Sequence, residues 1–431
     1  MRNTLLVIIL LCVLLFFHAI ALSSWHGLWT LYLNPLILFL SAIIPGFLLI
    51  SYSAKTPDDF KSDSRKFKIV AAVLCVFCIA ICYFFFTAIL IPTSSVLHVE
   101  RYSDVIPQLH ALNERLLAGE FPYQQIEFYG YALYPTYLPL QWLPYSIAEL
   151  FSFDYRLISF FALMIALSVF VFQILKSQTP NAFKYIWILI PFAAYLMLML
   201  YNEYDFQYSV ESLIAAYYIL LVLALMKKNI VCISAAIILC LLSRYSLVLW
   251  LPLLALVFYF ENRKQLGRGL IIIICGVLIF YVIPFLLQDV SVFSNGFEYH
   301  TKAASAVWES SDNAPGIKPE KLFSGYGFAG YFYDTLPGSV ESRFNILRLT
   351  HFLFSMGSVI LMAIYYFRKK ATLQSVGFLI GSLQVYLVIF YTFIQIPYSY
   401  LFIVPFFTGM ITTFYLLSIL ISTKEKITIQ N

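Results

Sequence analysis

The stretch HVERYSDVIPQLHALNERLLAGEFPYQQIEFYGYALYPTYLPLQWLPY, residues 98–145, is a polar island in a chain that otherwise reads as apolar helix. It holds an acid at Asp104, a helical run, Gly119, Pro122-Tyr123 and then a segment rich in Tyr and Pro. In the helical run, Val105, Ile106, Leu109, Leu112, Leu116 and Leu117 recur at spacings of three and four, which marks one helix face. Asp104 stands at the start of that helix, where backbone N–H groups favour a carboxylate. It reads either as a simple helix cap or as a general base that takes a proton from an attacking hydroxyl. Glu100, four residues earlier, is a second candidate for that role.

The rest of the chain decides where this stretch lies. Of 431 residues, 61% are hydrophobic and 11% charged. Soluble domains carry about 25% charged residues, so the composition predicts a polytopic, all-α membrane protein. The net charge of +5 does not point to nucleic acid, because the cations sit mostly in short loops between apolar runs. All seven cysteines fall inside apolar runs, which argues against a disulfide framework. Cys75, Cys78 and Cys82 read as small buried hydrophobes on one helix face, not as a metal site.

Twelve apolar runs are candidate spans, near 4–22, 33–52, 69–91, 155–175, 183–200, 210–226, 229–243, 245–260, 270–288, 347–367, 373–393 and 398–421. The first resembles a signal peptide but lacks a small-residue cleavage pattern, so a retained span is expected. Placing the N-terminus in the cytoplasm puts 18 of 27 Lys and Arg inside and leaves Arg244 alone at a short outside turn. Seventeen of the 22 acids then lie outside. Counting 132–151 as a span would invert every later loop. With Pro135, Pro139 and Pro144 it reads instead as an interfacial or re-entrant segment. The expected organisation is one membrane domain. Two N-terminal spans (1–68) precede a module over 69–290 with a first outside loop at 92–154. A second outside loop follows at 289–346, and the last spans occupy 347–431. Loops of that length are usually functional.

Several other residues can carry chemistry. Arg244 lies between ILCLLS and YSLVLWLP, where a charge is costly unless paired or wetted. Its planar fork suits a phosphate, and the plain alternative is a turn residue snorkelling to the headgroups. Glu203, Asp205 and Glu211 stand in NEYDFQYSVES, on the same side as Asp104, with Glu211 directed toward a cavity. In the second loop His300 and Lys302 can meet a phosphate or an acceptor, and Trp308 can stack on a sugar. Ordinary loop packing is the alternative for each. His300 has no companion at metal-ligand spacing. The chain lacks a Walker loop, a GxGxxG fingerprint, HExxH and a nucleotide-sugar DxD motif. A transferase of this kind would draw on a lipid-linked donor, since nucleotide sugars are absent outside.

Asp104, a helix ending in Leu116-Leu117-Ala118-Gly119, Pro122-Tyr123, the aromatic run 131–135 and Pro139 together resemble the first extracytoplasmic loop of GT-C-fold glycosyltransferases. The likeness is to the polyprenyl-phosphate-sugar-dependent, mannosyltransferase-like branch and covers roughly residues 70–290. It implies Asp104 as the catalytic base, with Glu100 beside it. Arg244, at the tip of a short hairpin, would meet the donor phosphate, where the residues themselves also offer His300 and Lys302 as candidates. On the residues alone, Glu203, Asp205, Tyr123 and Trp308 are the candidates to face sugar and acceptor. The implied reaction is direct, inverting displacement with no cofactor and no resident metal. Its partners would be a lipid-linked donor, a glycan or glycolipid acceptor and membrane lipid. This chain departs from the pattern in carrying two spans ahead of the loop-bearing one. At 202–207 it reads Asn-Glu-Tyr-Asp-Phe-Gln where many relatives carry Gly-Gln-x-Asn.

Two other readings compete: a transporter or flippase of lipid-linked sugars, and a glycan polymerase. Transporters usually show internal symmetry and mid-membrane charges. Here no matching halves are seen, and the acids gather in outside loops. The outside loops carry no Asn-x-Ser/Thr site, which leans toward a bacterial cytoplasmic membrane with the site on its outer face.

Overall fold

The computed structural model describes residues 2–22, 30–53, 65–93, 103–128, 131–176, 181–310 and 318–430. Most are helical: α1 Arg2–Leu22, α2 Thr30–Tyr52, α3 Arg65–Phe85, α4 Val105–Leu117, α5 Arg156–Ile174, α6 Asn181–Tyr201 and α7 Glu211–Lys227. Then come α8 Ile230–Leu241, α9 Leu251–Glu261, α10 Arg263–Val277, α11 Ser291–Glu309, α12 Val340–Lys369, α13 Ser375–Thr392 and α14 Ile403–Gln430. Nine of the described helical segments are long and apolar enough to cross a membrane. The chain is therefore an integral, multi-pass membrane protein. The other three expected spans are shorter: α7 has 17 residues, α8 has 12 and the Tyr245–Glu261 segment has 17. A span needs about 20 residues. The structure also adds a short antiparallel ribbon to the expected all-α fold. Ile126–Phe128 pairs with Tyr131–Leu133, Ile126 opposite Leu133.

The bundle is built around α7, α13 and α14. α7 buries residues on nearly every face, from Glu211 through Met226, as expected for a helix that is apolar all round. Among the described residues, α2 and α13 make the most extensive interhelical contact. Glycines permit it: a Cβ on Gly46 would come within 2.9 Å of the Gly381 carbonyl oxygen, and one on Gly381 within 2.7 Å of that of Gly46. Gln384 ties three helices together at the centre. Its amide donates to Ala42 (3.1 Å) and Pro405 (3.0 Å) and its oxygen accepts from Thr408 (2.7 Å). Peripheral spans such as α3 and α10 leave most of their surface open, as lipid-facing helices do.

Local signals set the connections that matter for the site. Lys228, in the left-handed region at φ 53°, ends α7, and the Asn229 side chain caps α8 through the amides of Val231 and Cys232. α8 then runs only 12 residues, about 18 Å, before the chain turns through extended Arg244 into a 3₁₀ turn and α9. The segment expected to be interfacial is not one helix. It breaks into Pro139–Trp142, Leu143–Tyr145 and Ser146–Phe151. The first piece is buried against the end of α8, with the Leu140 amide donating to Leu242 and Tyr217 of α7 donating to the Leu140 carbonyl. Ile147, Leu150 and Phe151 of the last piece are exposed, as suits a membrane-surface element.

The second outside loop folds over α11 and the short helix Ala329–Thr335 into its own apolar cluster, centred on Trp308, Leu322, Phe344 and Leu347. α12 has 30 residues, about 45 Å, and so outruns a hydrocarbon core of about 30 Å.

Candidate functional site

Asp104 precedes α4 but does not cap it. Its side chain makes no cap hydrogen bond, whereas the Ser103 hydroxyl accepts from the Val105 amide at 3.3 Å and donates to the Tyr208 carbonyl at 3.1 Å. The capping work and the tie to the 203–208 turn thus fall to the neighbour, leaving the carboxyl group half-buried and uncommitted to the helix end. Burial raises its pKa above the ordinary carboxylate value, opposed by hydrogen bonding from its own backbone and Gln108 and by the charge of Lys321. Tyr137, Tyr204, Tyr299 and Tyr398 all lie within its electrostatic reach.

Arg244 stands at the hairpin tip, as the sequence reading expected, and it is paired. A terminal guanidinium nitrogen, Nη2, donates to Oε2 of Glu211 at 2.5 Å. Glu211 is completely buried in the first turn of α7, while the Arg244 side chain keeps 19% of its surface open. Two residues on, Ser246 bonds the hydroxyls of Tyr218 (2.7 Å) and Tyr391 (3.2 Å), so polar contacts secure the hairpin to α7 and α13. Tyr137 lies within reach of the charges of Asp104, Arg244 and Glu211 together. Tyr400 shares Arg244, Glu211 and Tyr137, and its ring stacks on Tyr398 at 5.3 Å. The base candidate and the cation candidate, 140 positions apart in sequence, thus share Tyr137 as a neighbour within electrostatic reach of both.

Asp205 lies on the short helix Glu203–Gln207. It is 5% exposed and accepts a hydrogen bond from Ser399. Burial lifts its pKa to about 7, against the lowering effect of Ser399. Its charge is also felt at Glu211.

The remaining selected residues separate. Glu100 lies outside the described residues. Glu203 is exposed, unlike Asp205 beside it. His300 is exposed, within the electrostatic reach of Arg244 and Arg348. Lys302 is 75% exposed and paired with Glu298 one turn earlier on α11 at 2.6 Å. Tyr123 is buried: its hydroxyl accepts from the Trp142 indole and donates to the Tyr137 carbonyl, both at 2.9 Å, so it positions Tyr137. Trp308 is fully buried, with its indole N–H on the Gln395 carbonyl at 2.9 Å. No ring face of Trp308 is open for a sugar; the packing alternative is the one observed. An apolar groove of about 600 Å³ between α2, α12 and α13, lined by Phe39, Ile50, Leu353 and Phe393 among others, contains none of the selected residues.

Sequence reasoning missed Tyr137, Lys321, Tyr398, Ser399 and Tyr400. The last three sit in IPYSYLF, a short break between two apolar runs, and that polar interruption was the available signal. Among the described residues no three His, Cys, Asp or Glu side chains converge as metal ligands would. No protein-family model matches the chain, and no curated protein or solved structure matches it. Fold and site define a multi-pass membrane protein whose acids, arginine and tyrosines gather where the first loop, the short hairpin and the α13–α14 connection meet.

Proposed function

We propose that this chain is an integral membrane glycosyltransferase of the GT-C type. It moves a sugar from a polyprenyl phosphate to a glycan or glycolipid on the extracytoplasmic face. The observation that supports the reading is that an uncapped, half-buried Asp104 and an Arg244 held by Glu211 both lie within electrostatic reach of Tyr137. In this reaction Asp104 takes the proton of the acceptor hydroxyl as its oxygen attacks the anomeric carbon from the face opposite the phosphate. The bond from that carbon to the phosphate oxygen breaks, and the lipid phosphate leaves with the electron pair. Arg244 offsets the charge that develops on the leaving oxygen. Burial that raises the pKa of Asp104 makes its carboxylate a stronger base than an ordinary one. Twelve crossings, with α7, α8 and the Tyr245–Glu261 segment as shortened spans, keep both termini in the cytoplasm and the cluster outside. α8 covers about 18 Å of a core of about 30 Å, which recesses Arg244 to the depth of a lipid headgroup or below.

The test is sugar transfer from lipid-linked donors to an acceptor by protein purified in detergent micelles, where transport has no meaning. Asp104→Asn is expected to lower turnover by roughly 10²–10⁴-fold, the usual worth of a general base, with abundance and insertion unchanged. Wild-type turnover in that variant would sink the assignment. A wild-type protein that transfers nothing in micelles, yet moves lipid-linked sugars across vesicles, would favour a flippase.

A further inference from the structure

The contact that fixes Arg244 has a feature a purely structural ion pair would not need. Glu211 makes one bond to the guanidinium, and its Oε1 and the Arg244 Nε are both buried without partners. A fork built for stability would be bidentate and use those atoms. Replacing a buried pair by apolar side chains is often neutral or stabilising, so the pair is a poor means of holding a hairpin. The hairpin has other fastenings: Ser246 on Tyr218 and Tyr391, the Leu140 amide on Leu242, and the Trp250 indole on Ser382 at 3.1 Å. Glu211 is also sited where a carboxylate is least costly, at the N-terminal turn of the central helix.

We infer that Glu211 is a positioning residue for Arg244: it holds one end of the guanidinium against α7, so that the open part of the side chain is presented to an anionic ligand group. This rests on the reading of Arg244 as a phosphate contact. An unheld arginine at a hairpin tip would sample many rotamers, and fixing it in advance removes an ordering cost from binding. Immobilising one long side chain is worth about tenfold in affinity. Against this stands the negative charge of Glu211, which repels an arriving phosphate. The single, end-on contact and the residual exposure of Arg244 favour positioning over sequestration.

The experiment compares binding of farnesol and farnesyl phosphate to the full-length protein in micelles, reading the factor by which the phosphate tightens binding. Wild type is expected to bind farnesyl phosphate at least tenfold more tightly than farnesol. Arg244→Leu should erase that factor, and Glu211→Gln should reduce it about tenfold with farnesol binding preserved. The double variant Glu211→Leu/Arg244→Leu should match wild type in thermal midpoint and lack the phosphate factor. An unchanged or larger phosphate factor in Glu211→Gln overturns the inference, because the acid would then only sequester the guanidinium. Equal loss of farnesol and farnesyl phosphate binding also overturns it, by making Glu211 structural. A wild-type protein, or an Arg244→Leu variant, whose phosphate factor contradicts expectation sinks the phosphate reading of Arg244 itself, and the inference with it.

Discussion

Replacing Asp205 by Asn should change how stability depends on pH, and the structure sets the size of the effect. The carboxyl group is almost wholly buried, its pKa lifted from 3.8 to about 7 by that burial, with Ser399 as its hydrogen-bonding neighbour. The unfolded chain releases this proton near pH 4 and the folded chain only near pH 7. Between those values the folded state binds more protons, so stability falls as pH rises. A shift of about three units amounts to about 4 kcal/mol as an upper figure, fully absent below pH 4 and fully present above pH 7. Asn keeps the shape and an acceptor for Ser399 but has no proton to lose. The assay is thermal unfolding in detergent from pH 4 to pH 8, followed by tryptophan fluorescence. The difference between wild type and Asp205→Asn cancels the other titrating groups. At roughly 2 cal/mol/K per residue for 431 residues, 4 kcal/mol corresponds to a change on the order of 4 °C in that difference. The Asn variant should gain on wild type from pH 4 to about pH 7 and then hold that gain to pH 8. Parallel pH profiles would refute the reasoning, since they would mean that Asp205 titrates in the folded protein as it does in water.

Two further substitutions probe the scaffold of the site. Tyr123→Phe removes the acceptor of the Trp142 indole and the donor to the Tyr137 carbonyl, leaving two buried groups unpaired. Each such loss costs about 1–3 kcal/mol, so the thermal midpoint should fall, and a midpoint equal to wild type would show that Tyr137 is held by other means. Gly381→Ala drives a methyl group into the Gly46 carbonyl oxygen at 2.7 Å, and backbone cannot swing aside as a side chain can. Overpacking of this kind costs about 1–3 kcal/mol, to be read as a lower midpoint in detergent, whereas an unchanged midpoint would mean α2 and α13 separate freely.

How far the sequence discloses this molecule depends on the range of each signal. Hydropathy and charge counting are local or cumulative, and they locate the nine long spans, the broken 132–151 segment and the hairpin with Arg244 at its tip. They locate α7 as the run 210–226 too, but do not show that its neighbours bury it on nearly every face. The face of α4 is legible from its spacing, but whether Asp104 caps that helix turns on Ser103 taking the amide first. That choice is in turn stabilised by Tyr208, a contact 105 residues distant. Trp308 shows the converse: an aromatic in a polar loop looks available until the loop is seen to pack a core around it. The partners of the key groups are remote in the same way. Glu211 reaches Arg244 across 33 positions and Ser399 reaches Asp205 across 194. Residues with a chemical motive therefore stood out singly. The arrangement that gives them a common purpose arises from the central helices, which bring the acid at the start of α7 and the arginine of the shortened hairpin to the same depth. Lengthening α8 by one turn would carry Arg244 about 5 Å past Glu211, so the shortness of this 12-residue helix is what sets the geometry of the site.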